Sequence, residues 1–342
     1  MALIKREFET LLNTYGTEQS GCLSDLLDTS HDMVSRWKNH IVTNEGGASR
    51  NMRIDENMIF SYRPESGAER QADITEFAFS QLCHRLGVPP SYISKCIEAG
   101  KTRLALENYS AWANDFDKGI LVRENDGVVR AVLSDSYSPF DSFQVLRALE
   151  YTIPKEYELS AAHLTEDRLH LRFVNYTPLP IDDISPVYAG FTVSSSDVGR
   201  GALSIVFFLY RFVCKNGVVM SSAGGVLFKQ SHIGSKMTES KLTVFSRAFM
   251  NMDKLVKNAV DLIGINSKAI LKDYELNMYL EKARRDMKLS EKSMDKLNLL
   301  IGEYGSSRMG VINSVAELAQ DFSLDTRIDM ESWSGNLLSR AV

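Results

Sequence analysis

The stretch from Ser194 to Lys236 gathers the residue types best suited to holding a polyanion. It contains Ser194-Ser195-Ser196-Asp197-Val198-Gly199-Arg200-Gly201, then Tyr210-Arg211-Phe212-Val213-Cys214-Lys215-Asn216-Gly217, then Lys229-Gln230-Ser231-His232-Ile233-Gly234-Ser235-Lys236. Basic groups recur there beside strand-like apolar runs, each with small polar or glycine neighbours. Backbone N–H groups and the side chains of Arg200, Arg211, Lys215, Lys229, His232 and Lys236 can then converge on phosphates while Tyr210 stacks on a base. The competing reading places Tyr210 and Arg211 in a hydrogen-bonded network inside a sheet. Charge is distributed unevenly: residues 190–273 hold eleven Lys/Arg against five Asp/Glu, so this segment is +6 in a chain of net −5. Such asymmetry marks a polyanion-facing surface, although a solvated helix face produces part of it.

Other constellations point less firmly to chemistry. Asp135 and Asp141 bracket Ser136-Tyr137-Ser138-Pro139-Phe140, and paired carboxylates can hold magnesium for phosphoryl transfer; helix capping explains them as well. His163 and His170 fall on adjacent predicted strands and can meet, but a third ligand for zinc is lacking. Gly100-Lys101-Thr102 looks like the tail of a phosphate-binding loop, yet Lys95 stands where the first glycine belongs and the context is the end of a helix. Gly199-Arg200-Gly201 and Gly224-Gly225 lack the third glycine and the alternating βαβ pattern of a dinucleotide site, and read as turns or bulges at strand ends. None of the six histidines stands in a recognisable catalytic signature. The four cysteines are widely spaced without a CxxC pair, which suits reduced, buried thiols. No cofactor is implied.

The elements that must position these groups follow from periodicity. Residues 1–70 read as a partly irregular lead-in. Asp73 or Thr75 caps a helix carrying Phe77, Phe79, Leu82 and Leu86 inward until Gly87 ends it; further helices start at Ser91 and run through Leu104, Leu106 and Trp112. The period then becomes extended: 120–123 and 128–133 flank Asn125-Asp126-Gly127, a β-hairpin signature. A helix capped by Asp141 or Ser142 interrupts the strands, which resume over 157–163, 169–174, 187–194, 202–213 and, after an Asn216-Gly217 turn, 218–220. From about Thr238 the pattern is helical, with caps at Ser240, Asn266, Ser290 and Asp325. Segregated strands and helices predict an α+β fold. It has a central antiparallel β-rich core with an inserted helix (71–237), followed by a helical C-terminal region (238–342).

A hydrophobic fraction of 44% supplies a sizeable core, and no apolar run is long enough to span a bilayer. Met1 to Glu7 has no apolar core of signal-peptide length. The expected setting is the host cytoplasm, with no membrane association.

The segments Leu133 to Asp141, Val198-Gly199-Arg200-Gly201 through Asn216-Gly217, His232-Ile233-Gly234, Gly310 to Val315 and Gly335-Asn336-Leu337-Leu338 resemble the phage/plasmid-like protein family, a domain of unknown function. The likeness extends from about Thr75 to Val342. It implies a gene carried by a phage, plasmid or integrative element, often beside replication and recombination genes, and supplies no catalytic residues. Together with the local basic excess it leads us to expect a nucleic-acid-binding protein of mobile-element DNA metabolism that binds or anneals single-stranded DNA as a homo-oligomer. Two alternatives stand beside it. One is a metal-dependent nucleic-acid or nucleotide enzyme using Asp135, Asp141 and His163 or His170, and the other an interaction factor that counters host defence through an acidic face.

Overall fold

The computed structural model describes residues 23–44, 47, 50–55, 57, 59–164, 168–181, 186–211, 216–219, 226–232 and 241–339. These residues fold as an α+β protein with two six-stranded sheets and a helical C-terminal region.

The first sheet consists of β1 (Trp37–Val42), β2 (Met52–Ile54), β3 (Phe60–Tyr62), β4 (Arg70–Ile74), β5 (Ile120–Asn125) and β6 (Val128–Ser134), in the order β1-β5-β6-β4-β3-β2. The β5–β6 hairpin turns on Asp126 (φ 49°) and Gly127 (φ 77°), the two left-handed residues that a tight turn matching strand twist requires. Only β4 and β6 pair in parallel. Between them the chain passes through three helices, α2 (Glu76–Leu86), α3 (Pro90–Glu98) and α4 (Thr102–Asn114), and then β5. They follow α1 (Leu23–Ser35) in the chain. Phe79, Leu82, Leu86, Ile93, Ala105 and Tyr109 pack on Val42, Phe60, Tyr62, Ile120, Val122 and Val132, which buries one face of the sheet.

Local chemistry sets these helix ends. The Thr75 hydroxyl accepts the Ala78 N–H at 3.2 Å. At the end of α3 the Lys101 N–H reaches the Cys96 carbonyl at 2.7 Å and the Gly100 N–H reaches Ile97 at 2.9 Å, with Gly100 left-handed. The Gly-Lys-Thr run is thus a helix terminus.

The second sheet contains β7 (Glu158–Leu164), β8 (Leu169–Val174), β9 (Val187–Ser195), β10 (Leu203–Arg211), β11 (Asn216–Val219) and β12 (Val226–Gln230). Its order is β11-β10-β9-β8-β7, with β12 also paired to β10, and every pairing is antiparallel. Leu171, Phe173, Ala189, Phe191, Val193, Ile205 and Phe207 alternate onto one face. That face shares its core with α1, α5 (Ser142–Thr152), α6 (Lys241–Phe249) and α7 (Met252–Lys268). Asp141 is the N-cap residue of α5, as the sequence implies: its N–H donates to the Gln144 side-chain oxygen at 3.1 Å, and its carbonyl accepts the Gln144 N–H at 2.8 Å.

Helices α8 (Asp273–Met287), α9 (Glu291–Tyr304), α10 (Arg308–Leu318) and α11 (Leu324–Ser339) complete the described chain. Ala283, Leu297, Leu300, Val315, Leu318 and Met330 form their shared core. Ser290 caps α9 through the Ser293 N–H.

Three expectations are corrected. The lead-in is more ordered than predicted, since residues 23–62 supply a helix and three strands of the first sheet. Asn216 and Gly217 begin β11 instead of forming a turn, because they pair with Arg211 and Tyr210. Asn266 is no cap: it lies inside α7, where its amide donates to Leu262 O at 2.8 Å and to Leu338 O at 3.1 Å and so ties α7 to the last helix. Cys83 and Cys96 are buried free thiols, while Cys22, Cys214 and Ser240 lie outside the described residues.

Candidate functional site

The segments around Asp141, Asp197 and His232 meet where the two sheets adjoin. The centre is Arg123 of β5, whose side chain is 0% exposed. A register shift between Arg123 and Glu124 lets two neighbouring charged residues both be buried, each with its own partners. Glu124 accepts from the Tyr62 hydroxyl at 2.7 Å and from Arg70 at 3.1 and 3.2 Å.

Arg123 turns toward the second sheet. Its Nη1 and Nη2 donate to the two Asp141 carboxylate oxygens at 2.8 and 3.0 Å, and its Nε donates to Asn39 Oδ1 at 2.9 Å. Nη1 also donates to the Asp197 carbonyl, and the guanidinium lies 4.4 Å from the Trp37 ring centroid. This planar fork satisfies a carboxylate and a carbonyl at once, which the point charge of lysine would not do.

Asp197, at 4% exposure, begins the turn between β9 and β10, and its Oδ1 accepts both the N–H and the hydroxyl of Ser142 at 2.9 Å. Burial, with the charge of Asp141 adding to it, pushes the Asp197 carboxyl up to about 7. The Tyr137 hydroxyl donates to Ser196 O at 3.3 Å, and its ring stacks on His232 with centroids 5.3 Å apart. The His232 carbonyl accepts the Ser138 N–H at 2.8 Å. Burial lowers the His232 pKa and keeps the imidazole neutral, and neither ring nitrogen has a hydrogen-bond partner among the described residues. The cluster therefore fastens the start of α5, the β9–β10 turn and the segment after β12 onto the first sheet. Its charged members are shielded from solvent, so it sets geometry and does not meet a ligand.

Of the seven residues read as a nucleic-acid site, the five that are described do not form one group. Arg200 is exposed beside this junction, its guanidinium 4.2 Å over the Phe77 ring, and Lys229 is exposed on β12 opposite Ser204. His232 is 3% exposed, which corrects its assignment as a contact residue. Tyr210 and Arg211 end β10 at the far end of the strand, about 20 and about 24 Å along it from Ser204 at the usual rise per residue. Lys215 and Lys236 lie outside the described residues.

The metal-site alternative fares no better, because both Asp141 oxygens are occupied by Arg123 while Asp135 is exposed beside Gly119. No group of three or more His, Cys, Asp or Glu able to hold a metal ion occurs among the described residues.

Sequence reasoning missed Arg123 and Asp197. Its available signal was an arginine directly after Ile120-Leu121-Val122, where a solvent-facing strand would alternate. It also missed the most regular display of positive charge. Lys229, Arg247, Lys254, Lys257, Lys268 and Lys272 are exposed and make no ion pair with a described residue. Lys254, Lys257 and Lys268 fall within a sector of about 60° on α7 and extend over about 21 Å of its length. Asp261 interrupts this stripe. No helix among the described residues is long and apolar enough to cross a membrane. No family model, curated protein or solved structure matches the chain.

Proposed function

We propose that this protein binds single-stranded nucleic acid, with DNA as the favoured substrate, and acts as a strand-binding or annealing factor in the replication or recombination of a phage or plasmid. The observation that carries this reading is the lysine stripe of α7, three exposed cations without an acidic partner among the described residues. Flexible lysines neutralise phosphates without fixing base identity, which leaves base edges free to pair with a second strand. The resemblance to phage/plasmid-like proteins supplies the genetic setting, and the host cytoplasm follows from it. The binding step needs no cofactor. Assembly as a homo-oligomer belongs to the same proposal, since several copies along a strand present the stripe repeatedly.

Fluorescence anisotropy with a labelled oligo-dT at about 50 and 200 mM salt tests the reading. Affinity should fall steeply between the two conditions. Lys254→Gln with Lys257→Gln should weaken binding and flatten the log–log salt slope by about 1.4, the value for two phosphate contacts on a single strand. No binding at the lower salt, or an unchanged slope in the double variant, refutes it.

A further inference from the structure

The pairing register of the second sheet places five polar side chains in one row across five strands. His163 of β7 faces His170 of β8, His170 faces Ser194 of β9, Ser194 faces Ser204 of β10, and Ser204 faces Lys229 of β12. Cross-strand partners share a face, so all five belong to the face opposite Leu171, Phe191, Val193 and Ile205. At about 4.8 Å between strands the row is about 19 Å long. His163, His170, Ser194 and Ser204 are half-buried and Lys229 is exposed. His170 Nδ1 lies 2.8 Å from the Ser194 hydroxyl, so these two side chains of the row are hydrogen-bonded to each other.

Cationic groups border the row, among them Arg172, which also pairs with the buried Glu331. Burial presses the His170 imidazole down to about 3, and Arg172, His163 and Arg168 add to that push, so His170 stays neutral in a positive environment. No carboxylate stands among the five residues of the row. No group of three or more metal-ligating side chains occurs among the described residues, and the donors of the row suit an anion. Hydroxyls, imidazole N–H groups and a terminal ammonium in file are the donors that phosphate oxygens take.

We infer that the row His163, His170, Ser194, Ser204 and Lys229 is a site for phosphate groups, occupied by successive phosphodiesters of a strand lying across the second sheet. The choice of a strand over a free phosphate rests on the function proposed above and on the length of the row, which exceeds what one phosphate covers. The alignment of these residues appears only through the register, because sixty-six positions of sequence separate the first from the last.

Two measurements on the full chain test the inference. In the first, oligo-dT binding is compared for the parent protein, Ser204→Asp and Lys229→Gln. The carboxylate of Ser204→Asp should weaken binding about ten-fold, and Lys229→Gln should flatten the salt slope by about 0.7, the share of one phosphate. In the second, inorganic phosphate is titrated while the His163 and His170 imidazole resonances are followed by NMR. Saturable shifts in the parent that vanish in Ser204→Asp support the site. Should Ser204→Asp fail to fold, the exposed Lys229→Gln and the parent titration still decide. Strand binding weakened by the α7 variants, but untouched by the row variants and without histidine shifts, overturns the row and leaves the proposed function standing. Histidine shifts in a protein that binds no strand assign the row to free phosphate and overturn the polynucleotide reading.

Discussion

Arg123 and Asp141 are joined by two parallel hydrogen bonds in the interior, Nη1 to Oδ1 at 2.8 Å and Nη2 to Oδ2 at 3.0 Å, across the junction of the two sheets. A buried pair of this kind adds little against a well-packed apolar replacement, but removing one partner strands the other charge. Arg123→Met should therefore lower stability by about 3–5 kcal/mol in urea unfolding. Combining it with Asp141→Asn should recover part of that loss. A single-variant cost below about 1 kcal/mol would mean that the junction relaxes to admit water.

The carboxyl of Asp197 gives the same junction a pH dependence. Its folded value, pushed up to about 7, lies above the unfolded value of about 3.9, so the folded chain holds the proton more tightly. Between these values the native state binds more protons than the unfolded one, and stability falls as pH rises, levelling off above about 7. Asp197→Asn keeps an acceptor for Ser142 and removes the ionisation. Its advantage over the parent should grow from pH 4 to pH 7, reach the order of a few kcal/mol, and then stay constant. Melting curves across that range check this; an advantage that shrinks with rising pH would exclude the assignment.

What could be read from sequence was local, and what could not was remote. Asp126-Gly127, the Thr75 cap and the Asp141 cap each act within a few residues, so their chemistry stands in the sequence itself. Arg123 is different, because its partners Asn39, Asp141 and Asp197 lie 84, 18 and 74 positions away. An arginine inside an apolar strand announces a partner without saying which. The parallel β4–β6 pairing and the six-strand first sheet were likewise hidden, since the three-residue strands β2 and β3 are too short to show alternation. The nucleic-acid reading took proximity in the chain for proximity in space, and β10 carries Tyr210 and Arg211 away from Lys229.

His232 is buried with two ring nitrogens that find no hydrogen-bond partner among the described residues, and it stacks on Tyr137. Unsatisfied buried polar atoms cost stability, whereas an apolar ring of similar shape keeps the stacking. His232→Phe should leave stability unchanged or raise it by about 1 kcal/mol, with strand binding intact. A marked loss of binding would restore this histidine to the contact surface.

Gly190 lies on β9 between Val174 of β8 and Phe208 of β10. A Cβ there would stand 2.4 Å from Phe208 Cζ and 2.5 Å from the Phe173 carbonyl oxygen, and the backbone atom has little room to retreat. Gly190→Ala should cost about 1–3 kcal/mol through overpacking, read as a lower urea midpoint. Gly264→Ala, with nothing within 4 Å of the added carbon, serves as the control and should be neutral or stabilising.

Glu331 links the last helix to the second sheet. Its carboxylate is 1% exposed and accepts from Arg172 of β8 at 3.4 Å and from Arg327, one turn earlier on α11, at 3.1 Å. Arg172 also lies 5.0 Å over the Phe208 ring, so one carboxylate orders a stack that runs from helix to sheet. Glu331→Leu would remove the buried carboxylate that the two guanidiniums share and should lower stability by about 3–5 kcal/mol. Because water and salt ions do not reach this carboxylate, the loss should be nearly the same at low and high salt. The pair of Lys296 with Asp321, whose side chains are about half exposed, provides the contrast. Lys296→Ala should cost less than about 1 kcal/mol, and added salt should erase even that. A Glu331 effect that also disappears in salt would mean that α11 is held to the sheet by its apolar side chains alone.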